Sequence, residues 1–138
     1  MLVRRAEGYE LPICAALYQT ILRTHFHWIP TAHHQAGDFL RAVREEQVWV
    51  AVVDSEICGI AALYEPDAFV HSLYVRTPGQ GVGKALLEAM TAASNQALSL
   101  KCSHPNLRAR AFYEREGFAV IESGTDPDGS AWWRMARP

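Results

Sequence analysis

The stretch FVHSLYVRTPGQGVGKALLEAM (69–90) joins a strand-like run, a turn holding three of the chain's nine glycines, and an apolar helical repeat. Val82, Ala85, Leu86, Ala89 and Met90 recur at helical spacing, continued by Ala93 and Ala97. This unit commits the chain to a layered architecture, because the helix must lay its stripe on the sheet that takes the strand. It also poses a chemical question. Backbone N–H groups of a glycine turn at a helix N-terminus form a natural anion site. Gly79 to Lys84 reads G-x-x-x-G-K, one residue short of the G-x-x-x-x-G-K-[ST] nucleotide loop. Ala85 stands where that loop needs a hydroxyl for magnesium. A nucleoside triphosphate is therefore set aside, whereas a pyrophosphate supported by Lys84 is retained.

The remaining segments supply the rest of such a fold. LVRRA (2–6) reads as a strand, and Pro12 opens a helix whose expected stripe is Ile13, Ala16, Leu17, Thr20 and Ile21. HFHWIPTAHH (25–34) has no clean period and reads as a loop. A second helix is expected over 35–45, with Phe39, Leu40 and Val43 inward. VWVAVVD (48–54), ICGIAALYE (57–65) and FVHSLYV (69–75) predict three consecutive antiparallel strands. The glycine turn and a helix over 82–97 follow, then a strand at 97–103. A last helix runs from Pro105 and Asn106 to Gly117, a natural C-cap. FAVIES and AWWRMAR close as a hairpin, with Trp132 and Trp133 facing opposite sides so that one is free to reach a pocket or a partner subunit. The order β-α-α-β-β-β-α-β-α-β-β predicts one α/β (α+β) domain over 1–138. Its central sheet is mixed, mostly antiparallel and of about seven strands, with helices on both faces.

Charge and cysteine usage narrow the function classes. Thirteen basic and 15 acidic residues give a formal net charge of −2, with no electrostatic footprint for nucleic acid. Cys14, Cys58 and Cys102 lie far apart, which suits a reducing compartment better than a disulfide framework. The opening MLVRRAEGYE turns charged after two apolar residues, unlike a signal peptide. No apolar run reaches the ~20 residues that span a bilayer. A cytoplasmic location, with no membrane and no nucleic-acid partner, is the expectation.

Two segments carry a family likeness. SLYVRTPGQGVGKALLEAM resembles the acetyl-coenzyme A motif of the Gcn5-related N-acetyltransferases. NLRARAFYEREGF (106–118) resembles that family's N-x-x-A-x-x-F-Y-x-x-x-G-F signature, with Asn106, Ala109, Phe112, Tyr113, Gly117 and Phe118 in register. The order of strands and helices agrees over the whole chain. One departure stands out. Where the family usually carries Arg or Gln three residues before the first glycine of its G-x-G core, this chain has Pro78, and the turn between Val75 and Gly81 is shortened. Gln80 and Arg76 are the candidates to fill that place.

The resemblance implies acetyl-coenzyme A as cofactor. It places the pantetheine arm along Leu73, Tyr74 and Val75, the pyrophosphate on Gln80, Gly81, Val82, Gly83 and Lys84, and Asn106 against the arm. Asn106 also suits a helix N-cap. Tyr113 is the implied catalytic acid, protonating the departing thiolate. An attacking ammonium must first lose a proton. His71, two residues before Leu73, is the candidate base, with Glu65 and Asp67 as weaker ones. A backbone N–H near Leu73 would stabilise the oxyanion.

Four of the six histidines, His25, His27, His33 and His34, crowd the 25–34 loop beside Trp28. No Cys or carboxylate lies at ligand spacing, and Pro30 breaks any helical pairing, so no metal is expected. By the family's plan this loop lines the acceptor pocket, which makes His25, His27 and Trp28 candidate substrate-binding residues. The expected reaction is acetyl transfer to a primary amine of a small molecule or peptide by direct attack in a ternary complex. A non-catalytic acyl-coenzyme A sensing module is the alternative, and a homodimer is compatible with the family.

Overall fold

A computed structural model of the chain describes residues 1–137. The elements are β1 (Leu2–Arg5), α1 (Leu11–His25), α2 (Ala36–Ala42), β2 (Gln47–Val53), β3 (Glu56–Tyr64), β4 (Phe69–Val75), α3 (Val82–Ala93), β5 (Ser99–Ser103), α4 (Leu107–Arg115), β6 (Ala119–Thr125) and β7 (Ala131–Ala136). The seven strands form one sheet in the order β1-β2-β3-β4-β5-β7-β6. Every neighbouring pair is antiparallel except β4 and β5. The expected order of elements and the mixed sheet are both present.

The parallel pair is where the sheet opens. β4 and β5 are in register only at Phe69↔Ser99 and Val70↔Leu100. Beyond Val70 the two strands part, and the β4 edge that faces β5 is left without ladder partners. A register shift sits at the same level on the other edge of β4. Ala62 pairs with Ser72 while Leu63 pairs with Val70, so His71 is the extra residue of a β-bulge. The bulge changes the side-chain parity of β4. Val70 lies in the core beneath α3, and Leu73 and Val75 pack on that same side, whereas Tyr74 packs against the α1 and α2 side.

Two apolar layers hold the sheet. One, under α3 and α4, contains Leu63, Leu86, Leu87, Met90, Leu100 and Met135. The other, under α1 and α2, contains Cys14, Leu17, Ile21, Phe39, Val50 and Ile60. The buried stripe of α1 is Cys14, Ala15, Leu17, Ile21 and Leu22, which keeps Leu17 and Ile21 of the expected one and is rotated about the helix axis from the rest. Ile13 is 54% exposed and Ala16 is exposed, because the free Cys14 takes the inward position as a small hydrophobe. Leu40 likewise faces outward, and α2 keeps only its seven central residues. At the N-terminus the Arg4 guanidinium grips Glu10 with two parallel bonds of 2.8 and 2.9 Å. The Glu7 N–H donates to the same carboxylate at 2.8 Å. These bonds hold Glu10 well below the usual carboxylate range, at about 2.

Trp132 and Trp133 both stay on the sheet. Trp132 lies under the Lys101 ammonium (4.1 Å) and donates to Asp126 at 3.0 Å. Trp133 is stacked by His104 at 3.8 Å and by Arg110 at 4.1 Å. Neither reaches the cavity described next.

Candidate active site

The gap between β4 and β5 continues into a cavity of about 670 Å³. Three elements wall it: the end of β4 with the glycine turn, the outer face of α4, and the C-terminal turn of α1. Gly81 caps α3 in the left-handed region (φ 77°), and a Cβ there would point into open space. No side chain caps α3, and the first intrahelical bond of the turn is Ala85 N–H to Gly81 at 3.1 Å. The N–H groups of Val82, Gly83 and Lys84 are thus the unsatisfied donors at the positive end of the helix dipole. A Cβ on Gly83 would stand 3.0 Å from the Phe112 ring, so glycine lets α4 approach this side of the cavity without displacing that ring.

Tyr113 is set by the way α4 ends. Gly117 is left-handed (φ 92°); its N–H donates to Glu114 at 3.1 Å, and the Phe118 N–H reaches back to Tyr113 at 2.9 Å. This is a Schellman cap, and its apolar contact is Phe118 edge-on to Tyr113 at 5.7 Å. Phe112 flanks Tyr113 at 5.3 Å. The spacing F-Y-x-x-x-G-F is therefore a device for fixing one phenol. Tyr113 is 8% exposed, lines the cavity, and has no hydrogen-bond partner among the described residues. Burial, with Cys102 and Tyr74 nearby, pushes its hydroxyl well above the usual tyrosine value.

Leu73, Tyr74, Val75, Gln80, Gly81, Val82, Gly83, Lys84, Asn106 and Tyr113 all line this cavity, as does His25. Asn106 caps α4, its Oδ1 accepting from the Ala109 N–H at 3.2 Å, and it also lines the cavity. Gln80 is in the wall, but Arg76 is drawn away. Its guanidinium bonds Glu56 at 3.2 Å and the Ile57 carbonyl at 3.0 Å.

Three expected residues lie elsewhere. His71 sits on the bulge outside the cavity lining, with Nδ1 3.0 Å from Oε1 of the nearly buried Glu46. His27 and Trp28 are outside as well, because α1 ends at His25 and the Phe26 C-cap (φ −110°, ψ 63°) turns the chain outward. Trp28 packs on Phe26 at 5.0 Å instead. Among the described residues no three His, Cys, Asp or Glu side chains converge as a metal site.

The sequence reading missed Arg108 and Arg115, which line the cavity together with Lys84. None of the three forms an ion pair among the described residues. Their signal was spacing: seven residues apart, the two arginines share one face of α4 with Phe112 and Glu116. Also missed were Ile21 and Phe26, the apolar side of the α1 wall.

The sheet thus opens between two parallel strands, with free helix N–H groups at one end of the gap and the Tyr113 phenol within it. Residues 24–137 match the family described as Acetyltransferase (GNAT) domain, and the chain belongs to that family. It is accordingly an N-acetyltransferase with acetyl-coenzyme A as its cofactor. Among solved structures it is similar to a GCN5-related N-acetyltransferase from Rhodopseudomonas palustris, also described as an aminotransferase, class II. The TM-score is 0.81 at 18% identity, covering 99% of this chain and 94% of that one. It is similar also to the ribosomal-protein-S18-alanine N-acetyltransferase from Escherichia coli (TM-score 0.75, 20% identity, 99% and 92% covered). A third similar structure is an aminoglycoside 6'-N-acetyltransferase complexed with coenzyme A (0.72, 14%, 99% and 96%). At these identities the likeness is one of fold. No curated protein matches the sequence at a significant level.

The cavity's own chemistry suits that cofactor: free helix N–H groups beside three cations without an ion pair among the described residues, and an unladdered strand edge.

Proposed function

We propose that the chain transfers an acetyl group to a primary amine of a small molecule or peptide by direct attack in a ternary complex. The observation that carries this is Tyr113, a buried phenol without a hydrogen-bond partner among the described residues, in the gap between β4 and β5. The cofactor would supply an acetyl thioester. Val82, Gly83 and Lys84, with Gln80 and Gly81, would bind its phosphates through N–H groups and charge. Leu73, Tyr74 and Val75 would orient its amide-bearing arm through their free backbone edge. One amide of that edge is the proposed oxyanion donor. Tyr113, held protonated by burial, would give its proton to the leaving sulfur.

For removal of the amine proton we keep His71. Its Nδ1 on Glu46 fixes a tautomer that leaves Nε2 as acceptor, and the bulge sets it beside the point where β4 and β5 part. Its place outside the cavity lining means that it would receive the proton at the strand edge. The test is thiol release from acetyl-coenzyme A over a panel of amines, with mass spectrometry of the product. An amine that gains one acetyl group supports the reading. Thiol release without any acetylated amine refutes it.

A further inference from the structure

The acceptor side of the cavity has a chemistry of its own. Its α1 wall is Ile21, His25 and Phe26, and Tyr74 faces it from β4. Phe26 meets Tyr74 edge-on at 5.5 Å, and Tyr18 backs Tyr74 at 5.3 Å, so the wall is a braced aromatic surface. Glu116, at the end of α4, is the only carboxylate of the lining among the described residues, and it stands with the phosphate-side cations Arg108 and Arg115. Two carboxylates outside the lining are already engaged: Glu46 with His71, and Asp38 with Arg41.

A polycation needs a carboxylate for each ammonium that leaves water, since an unpaired buried charge is strongly disfavoured. An amine that becomes neutral in order to react needs none. We infer that the acceptor is a primary amine carried on an aromatic or apolar body with no second positive charge, seated against Phe26 and Tyr74. This rests on the acetyltransfer reading and narrows it.

The test compares 2-phenylethylamine and a phenylalanyl dipeptide amide with spermidine and kanamycin. Thiol release gives kcat/KM, and quenching of tryptophan fluorescence, with Trp28 packed on Phe26, reports binding independently of turnover. The expected result is at least a tenfold higher kcat/KM for one or both aromatic amines than for either polycation. The faster of the two aromatic probes tells a free amine from a peptide terminus. Phe26→Ala should cut the aromatic-to-polycation ratio at least tenfold, and Phe26→Leu less. The ratio is internal to each protein sample, so partial misfolding cancels. Equal or better turnover of spermidine or kanamycin overturns the inference. If no amine is acetylated, the acetyltransfer reading fails separately. The inference then stands on tighter binding of 2-phenylethylamine than spermidine, and falls on the reverse.

Discussion

Replacing Tyr113 with Phe removes one oxygen from the gap between β4 and β5 and leaves the ring in place. The hydroxyl has no protein partner among the described residues, so its loss strands no buried donor or acceptor. The ring contacts with Phe112 and Phe118 survive. The change in folding stability should therefore stay within about 0.5 kcal/mol. Catalysis is a different matter. A positioned general acid contributes roughly 10²–10⁴ in rate, which corresponds to about 2.7–5.4 kcal/mol of barrier. Steady-state thiol release should show kcat reduced by that factor, with acetyl-coenzyme A affinity changed less than about threefold, because the phenol acts only as the thiolate leaves. Burial raises the hydroxyl's pKa, so wild-type rates should show no loss from Tyr113 ionisation up to about pH 9. Near-normal kcat in a folded Tyr113→Phe enzyme would refute the assignment.

Three further outcomes follow from the same geometry. Arg115→Ala removes one unpaired cation of the cavity and should weaken acetyl-coenzyme A binding about tenfold, near 1.4 kcal/mol, with the loss shrinking at high salt; calorimetry at two ionic strengths checks it. His71→Ala and Glu46→Gln should each lower kcat while binding of the cofactor persists; an unchanged kcat in both clears the pair. Glu10 has its carboxylate depressed, so its stabilisation is present above the unfolded value near 4.3 and is lost as pH falls toward about 2. Thermal melts of Glu10→Gln should therefore converge with wild type between about pH 4.5 and 2, and parallel curves would contradict this.

The central half of the chain was legible because period and punctuation agree there. The apolar runs of β2, β3 and β4 and the start of α3 after the glycine turn were placed correctly, but α3 ends at Ala93 rather than at 97, and its buried face takes Leu87 while Ala93 and Ala97 are exposed. Tyr113 could be picked out because F-Y-x-x-x-G-F encodes a local cap, and local hydrogen bonds are written in adjacent residues. The face of α1 was misjudged because Ile13 looks like core, whereas burial is decided by contact with the α2 side of the sheet. The outward turn of His27 and Trp28 depends on one C-cap conformation at Phe26, which composition does not reveal. His71 was expected in the site by its distance from Leu73 along β4. The bulge, visible only through pairing with β3, set it on Glu46 instead. Arg108 and Arg115 were readable from their seven-residue spacing, but exposed arginines on a helix are commonplace, and only their place in the cavity wall marks these two.

The most direct measurement is calorimetric titration with acetyl-coenzyme A, run beside ATP with magnesium, on the wild type and Gly81→Asp. At Gly81 the φ of 77° strains any side chain, and a carboxylate would repel phosphate. Binding of acetyl-coenzyme A on the order of micromolar Kd, none of ATP, and at least a tenfold loss in Gly81→Asp is the predicted result. Binding of ATP in place of acetyl-coenzyme A, or a Gly81→Asp protein that binds as well as wild type, would contradict it.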